Sequence, residues 1–154
     1  MLELRVLDER IEERVRHTLE SHPSWPCRHG CDECCRSLTN PPLLTKPEWD
    51  RVAAALTKLD AETRRQIDSR LLAPWSRICP LLDNGSCLVY EDRPISCRSY
   101  GFYADREAGL YCSRIEQRVQ SGDLDNVVWG NQEAVEHSLD QLGARRTLME
   151  WAGD

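Results

Sequence analysis

Four cysteines lie within nine residues of this chain, between positions 27 and 35, and the last two of them are adjacent. A second group follows downstream, and the two groups together hold all eight thiols of the 154 residues. A chain of this length buries a substantial core without cross-links, so eight cysteines call for a chemical explanation. The eight are Cys27, Cys31, Cys34, Cys35, Cys79, Cys87, Cys97 and Cys112.

The spacing of the first group is typical of a loop that binds metal through thiolates. The segment Cys27-x3-Cys31-x2-Cys34 presents three sulfur ligands from one loop. Thiolates suit zinc and iron–sulfur clusters, and both are commonly held by four cysteines. We therefore predict that all eight cysteines contribute to binding zinc or an iron–sulfur cluster. Cys112 lies in no motif and is the ligand that such a site would most easily spare.

The adjacent pair Cys34-Cys35 bears on how the thiols are shared. Successive side chains tend to point apart, so the pair suits two neighbouring sites or two corners of a larger cluster. Eight thiols divide into two four-thiol sites, or into one four-thiol cluster with four cysteines left over. We predict that the first loop and the downstream residues Cys79, Cys87 and Cys97 contribute to a common centre, while the number of sites stays open.

Disulfides and buried unligated thiols are the alternatives to metal binding. The first residues are charged and contain no apolar segment of the kind found in signal peptides. No apolar run approaches the length of a membrane span. We therefore expect a cytoplasmic protein, and in that reducing compartment cysteines bind metal more often than they form disulfides.

Charge narrows the range of partners. The net charge is −6, and the basic residues are scattered among acidic ones without a basic run. A nucleic-acid-binding protein would present a basic face, so we expect no nucleic-acid partner and no membrane partner. The expected partner is a metal ion or cluster, and the sequence leaves room for a protein partner as well.

Apolar residues at helical spacing predict a helical scaffold. Thr45 and Glu48 fit a capping box at the start of the second helix. Ser113 and Glu116 fit another box, and Gly143 is a candidate break in the last helix. The predicted helices cover residues 2–21, a segment beginning at Thr45, a segment capped by Asp60 and ending at Leu72, residues 113–120 and residues 131–150.

The pair Asn84-Gly85 is the favoured sequence for a type I′ turn and predicts a short hairpin. The predicted fold is mainly α, a helical scaffold with irregular cysteine-bearing loops and a small β-hairpin around a metal centre. We expect one domain over residues 1–154, with a core at 27–112 and helical flanks at 1–22 and 131–150.

The cysteines and their neighbours resemble the YkgJ-type cysteine-cluster family, a zinc- or iron-chelating domain with a CxxCxxCC signature. The resemblance covers roughly residues 27–103, and the first gap here is three residues rather than two. It implies metal chelation. The family also contains flagellin lysine N-methylases, but this chain shows no S-adenosylmethionine motif, so methylation is not implied. The matching residues are the first loop, Cys79-Pro80-Leu81, and the run Cys87 to Tyr100 with Tyr90, Arg93-Pro94 and Cys97-Arg98.

Two arginines beside the second cysteine group are candidates for contacts with the bound metal site. The guanidinium groups of Arg93 and Arg98 could donate hydrogen bonds to thiolate sulfurs and offset their charge. The alternative is that both arginines only brace the loop. His29 could replace a thiol as ligand, but thiols are already plentiful, so we expect it to be a loop residue.

The leading functional hypothesis is a cysteine-thiolate metal-binding protein, with no catalytic residue identified. One alternative is an enzyme that depends on its cluster for redox or protein-modifying chemistry. The other is an interaction module in which structural zinc only maintains the fold. We find no dinucleotide-binding, Walker, metalloprotease or serine-hydrolase motif that would favour an established enzyme class.

Overall fold

A computed structural model describes residues 2–106 and 109–154. These residues contain seven α-helices, six short strands and two short 3-10 helices, at Cys34–Arg36 and Tyr90–Asp92. The predicted mainly α class is confirmed. The helices are α1 (Leu2–Ser21), α2 (Lys46–Leu56), α3 (Ala61–Leu72), α4 (Ile95–Ser99), α5 (Ser113–Gln120), α6 (Gln132–Gln141) and α7 (Leu148–Ala152), and the strands are β1 (Leu43–Thr45), β2 (Leu82–Asp83), β3 (Ser86–Cys87), β4 (Tyr103–Ala104), β5 (Gly130–Asn131) and β6 (Arg145–Thr147).

The helix starts that local chemistry predicts at Thr45 and Asp60 are confirmed. Thr45 and Glu48 form a capping box at the start of α2. The Asp60 carboxylate accepts a hydrogen bond from the backbone N–H of Thr63 and so caps α3. Both caps use side chains within four residues of one another, which is why the local sequence is enough to place them.

The predicted hairpin is also present. Strands β2 and β3 pair antiparallel, with Leu82 opposite Cys87. Asn84 and Gly85 both have positive φ, 46° and 78°, as a type I′ turn requires. The hairpin places Cys87 at a defined position on a hydrogen-bonded strand.

Two helix predictions in the C-terminal third are wrong in detail. Cys112, rather than Ser113, is the N-cap residue of α5, so the predicted box between Ser113 and Glu116 does not form. The predicted helix 131–150 is interrupted by β6, which pairs antiparallel with β1. Gly143, at φ 121°, allows the chain to turn before β6, and pairing with β1 satisfies backbone groups that a helix would otherwise bond internally.

The buried apolar side chains form two clusters rather than one. The first contains residues of α1, α5 and α6 together with Trp25 and Phe102. The second contains residues of α2 and α3 with Leu81, Val89 and Leu148. Within the described residues, no helix has the length and apolar character needed to cross a membrane. The cysteine-bearing segments run between these two clusters.

Candidate metal centre

A pair of main-chain hydrogen bonds joins the two cysteine-bearing segments. The backbone N–H of Cys79 donates to the carbonyl oxygen of Cys35 at 2.8 Å. Three residues further along, the N–H of Leu38 donates to the carbonyl oxygen of Arg77 at 2.9 Å. The first loop and the second cysteine group are therefore held side by side.

The first loop presents its thiols from two tight turns. Cys31 closes the first turn by donating its backbone N–H to the carbonyl oxygen of Arg28 at 3.0 Å, with Gly30 at φ 91°. The second turn is the 3-10 helix that begins at Cys34. These turns place four cysteines on a short irregular segment, as the spacing predicts.

The second group is held by regular structure. Cys87 belongs to β3, and Cys97 lies in α4. The start of α4 is fixed by Glu48, which is fully buried and accepts a hydrogen bond from the backbone N–H of Ile95 at 2.8 Å. The other Glu48 oxygen accepts from the N–H and the hydroxyl of Thr45, both at 2.7 Å. One buried carboxylate therefore connects α2 to the helix that carries Cys97.

The thiols divide between the two apolar clusters. Cys27 and Cys112 pack against the first cluster. Cys35, Cys79 and Cys87 belong to or pack against the second. Five of the eight cysteines are therefore divided between the two cores, and Cys31, Cys34 and Cys97 are part of neither.

Electrostatic interactions follow the same division. Burial raises the pKa of Cys27 to about 12, and the next causes are the charges of Cys112 and Cys31. Burial likewise raises the pKa of Cys97, followed by Cys79 and Cys87. We name these groups by their central thiols. The Cys27 set is Cys27, Cys31 and Cys112, and the Cys97 set is Cys35, Cys79, Cys87 and Cys97.

Cys34 lies between the two sets. Its sulfur is 4.0 Å from that of Cys35. The hydrogen bond with Cys35 is the largest cause of a pKa lowered to about 7 at Cys34, and it raises the pKa of Cys35. The Cys34 charge also raises the pKa values of Cys27 on one side and of Cys79, Cys87 and Cys97 on the other. The adjacent pair thus connects the two sets, as its position in the sequence allows.

The two predicted arginines have different surroundings. Arg93 lies 3.6 Å from the ring centre of Tyr90, and its charge lowers the pKa values of Cys34 and Cys97. Arg98 instead donates to the carbonyl oxygen of Arg93 at 3.3 Å and to Glu12 of α1 at 2.9 Å. Its contacts match the alternative role of bracing the loop.

Sequence reasoning missed Arg114 and Gly101. Arg114, in the first turn of α5, has Nη1 at 4.0 Å from the Cys31 sulfur, and its charge lowers the pKa of Cys27. Gly101 has φ 88°, and a Cβ at that position would overlap the Cys27 sulfur. The one feature of the sequence that could have pointed to Arg114 is its position two residues after Cys112. Nothing near Gly101 in sequence points to Cys27.

A cleft of about 860 Å³ opens beside the Cys27 set. It is lined by the α1 side chains Ile11, Val15 and Leu19 and by five thiols, those of Cys27, Cys31, Cys34, Cys97 and Cys112. His29 lies at the same cleft and makes an edge contact with the Tyr90 ring, with centroids 4.1 Å apart. The expectation that His29 is only a loop residue stays a prediction.

The donor chemistry fits a soft metal. All eight cysteines are free thiols, and they are gathered at one boundary in the fold. Among the described residues, no three His, Cys, Asp or Glu side chains already stand in metal-binding geometry. Binding therefore requires thiol side chains to turn toward a common point. The space beside Gly101 fits a thiolate site. It holds the Cys27 sulfur, and a side chain at position 101 would exclude that sulfur.

A family comparison agrees with this chemistry. The family model CxxCxxCC, described as "Putative zinc- or iron-chelating domain", matches residues 26–134. The chain belongs to the CxxCxxCC family. The match extends beyond the segment that resembles the family by eye and includes Cys112 and Arg114. Searches of curated proteins and of solved structures gave no match. Membership supports a metal ion, zinc or iron, as the partner of this domain.

Proposed function

We propose that the chain binds metal through two adjacent four-thiol centres. Cys34 completes the Cys27 set to four thiols, while the Cys97 set already has four. The observation that carries this proposal is that Cys27 and Cys112 pack against one apolar cluster, while Cys35, Cys79 and Cys87 belong to or pack against the other. Cys34 is assigned to the Cys27 set by this count, since it lines cavities with thiols of both sets.

Charge balance supports two centres. Four thiolates around a divalent ion leave a net charge of about −2, which is costly to bury without a counter-charge. Two such cations are present, since Arg114 acts on Cys27, and Arg93 acts on Cys34, Cys87 and Cys97. Two arginines beside the thiols support the proposal, with Arg93 shared between the two centres.

A four-thiol centre has no free coordination position. For zinc this is the pattern of a structural or storage site rather than of a hydrolytic one. An iron–sulfur cluster is held by the same number of thiolates and would add electron transfer. The proposed function is therefore metal binding by the Cys27 and Cys97 sets, and either metal satisfies the ligand count.

The test is metal content and the visible spectrum of protein purified without air. We expect about two zinc ions per chain, or iron with acid-labile sulfide. Changing Cys79, Cys87 and Cys97 together to serine should remove the metal of the Cys97 set and leave that of the Cys27 set. Ser86→Ala, a neighbour of Cys87 that bears no thiol, is the control. Full metal content in the triple variant would refute the proposal.

A further inference from the structure

We infer that the Tyr100 hydroxyl donates a hydrogen bond to the Cys34 sulfur when metal is bound, and so holds Cys34 in one centre with the Cys27 set. This inference rests on the proposed function, because it requires that Cys34 bind metal. It deepens that function by naming a residue that decides which centre Cys34 joins. Tyr100 is a positioning residue in this scheme, since it acts on the metal only through Cys34.

Tyr100 lines the same three cavities as Cys34. Both residues line the cleft of about 860 Å³ and a cavity of about 570 Å³ that also contains thiols of the Cys97 set. They meet again in a smaller cavity of about 400 Å³, which they share with Cys112. Of the described residues, only Tyr100 and Cys34 line all three. The Tyr100 side chain therefore borders each of the spaces into which the Cys34 sulfur can turn.

The electrostatic neighbours of Tyr100 are thiols of one proposed centre. Burial raises the pKa of its phenol to about 12, and the next causes are the charges of Cys112, Cys34 and Cys27, in that order. These are three of the four thiols that we assign to the first centre. Tyr100 thus interacts with Cys34 from the side of Cys27 and Cys112, although it lines cavities with both sets.

The Tyr100 hydroxyl is available as a donor. An ordinary phenol keeps its proton up to about pH 10, so this group is protonated at neutral pH. Among residues 2–106 and 109–154, the hydroxyl has no hydrogen-bond partner. A thiolate is an ionised acceptor, and hydrogen bonds to ionised groups are about twice as strong as those between neutral groups. Donation to Cys34 would also offset part of the charge of a four-thiolate centre.

The fold fixes the backbone on both sides of Tyr100. The residue directly follows α4, whose start is held by Glu48. The next residue, Gly101, has positive φ and donates its backbone N–H to the carbonyl oxygen of Leu110 at 2.6 Å. Only rotation about side-chain bonds therefore remains to bring the Tyr100 hydroxyl and the Cys34 sulfur together.

The test compares Tyr100→Phe with Tyr103→Phe, since each change removes one hydroxyl and keeps the ring. Tyr103 is the matched control, because burial raises its pKa as well, but its charged neighbour is Arg14 and its cavity contains no cysteine. Each protein is loaded with cobalt(II), whose absorption includes charge transfer from thiolate sulfur. We expect Tyr100→Phe to shift this band to longer wavelength, because a sulfur that accepts no hydrogen bond gives up its electrons more easily. Tyr103→Phe should leave the band unchanged.

Chelator competition with zinc provides a second measurement. Tyr100→Phe should weaken the binding of one of the two ions about 10- to 100-fold, the usual effect of removing a group that hydrogen-bonds a metal ligand. Two ions should still bind at saturating zinc. When Cys34→Ser is already present, Tyr100→Phe should weaken binding no further, because its partner is gone.

Three results would overturn the inference. The first is a cobalt band that does not move in Tyr100→Phe, or that moves equally in Tyr103→Phe. The second is an effect of Tyr100→Phe on zinc affinity that persists in the Cys34→Ser background. The third is ultraviolet absorption of ionised tyrosine that appears on zinc binding and is absent from Tyr100→Phe, because a phenolate cannot donate. Protein that binds no metal would instead refute the proposed function, so the two failures are distinguishable.

Discussion

Gly101 is the residue at which backbone conformation and metal chemistry meet. Its φ of 88° is one that residues with side chains rarely adopt, and its missing Cβ leaves the space that the Cys27 sulfur occupies. The glycine is therefore needed for two independent reasons. Only the second of them bears on the proposed metal centre.

A matched pair of variants separates these reasons. Gly101→Ala should lose the metal of the Cys27 set, because the new methyl group displaces the Cys27 sulfur. Gly122→Ala imposes similar backbone strain at φ 81°, but its Cβ would meet Asp125 no closer than 3.5 Å. We expect it to lose stability, about 1 kcal/mol, and to keep its metal. The measurements are zinc content and urea unfolding of both variants. Equal zinc content in the two would contradict a role for Gly101 in placing the Cys27 sulfur.

Glu48 shows how a buried carboxylate can position a cysteine. Its three hydrogen bonds satisfy donors from Thr45 and Ile95, so the charge is fully solvated by the protein. Because Ile95 begins the helix that holds Cys97, the effect of Glu48 should extend to the Cys97 set.

Glu48→Gln should therefore destabilise the fold by about 2–4 kcal/mol, since an amide cannot accept from donors on both sides. Glu150→Gln is the control, because Glu150 forms the same box with Thr147 on the surface and, among the described residues, accepts from no donor outside that box. We expect the control to change urea unfolding much less and to leave zinc binding unaltered. A Glu48→Gln protein as stable as the control would show that the buried bonds contribute little.

At the scale of elements, α1 is tied to the cysteine-bearing region by a network of charges. Asp8 of α1 pairs with Arg51 of α2 at 2.5 Å. Arg51 also donates to the carbonyl oxygen of Arg93 at 2.8 Å, and Arg98 lies 3.6 Å from Asp8. These contacts hold α1 and α2 against the start of α4, and α1 supplies the apolar wall of the cleft.

A double-mutant cycle on Asp8 and Arg51 measures the interaction energy of this ion pair between α1 and α2. Each single change to alanine leaves a largely buried partner charge, so we expect a destabilisation of about 3 kcal/mol. The coupling energy should be about 1–2 kcal/mol. The exposed pair Arg16–Glu20 on α1 should give a coupling of only about 0.3–0.5 kcal/mol. Similar couplings for both pairs, measured by urea unfolding, would argue against a network that joins helices.

At the scale of the whole molecule, the two cores bury several thiols. A metal ion must therefore compete with protons for those sulfurs. Burial raises the pKa of Cys79 to about 11 and also raises those of Cys87 and Cys97. The pKa of Cys35 is raised by its hydrogen bond with Cys34. The metal-free Cys97 set is therefore protonated at neutral pH. A cation reverses this balance, because it favours the thiolate.

Zinc binding should consequently strengthen with pH. Each proton displaced adds tenfold per pH unit, so four thiols predict a slope of about four in the logarithm of apparent affinity below pH about 9. Raised thiol pKa values have the opposite effect on the metal-free fold, which should lose stability as pH rises from 9 toward about 11. Chelator competition at several pH values measures the slope, and Cys79→Ser should lower it by about one. An affinity independent of pH would contradict these assignments.

Local sequence was sufficient for the features that depend on neighbouring residues. The caps at Thr45 and Asp60, the type I′ turn at Asn84-Gly85 and the helical spacing of α1 are each encoded within a few positions. The cysteine spacing likewise predicted metal chemistry, because short thiol spacings suit a thiolate-bound metal, and the family match supports that prediction.

Contacts between distant segments could only come from the tertiary structure. The β1–β6 pairing overrode the helical pattern near 145–147, since its partner lies about a hundred residues away. Arg114 and Gly101 approach Cys31 and Cys27 across similarly long separations. The sequence by itself determined that the chain carries eight soft-metal donors, because ligand chemistry resides in the residues. How those thiols divide between two cores was decided by packing, because burial depends on every segment at once.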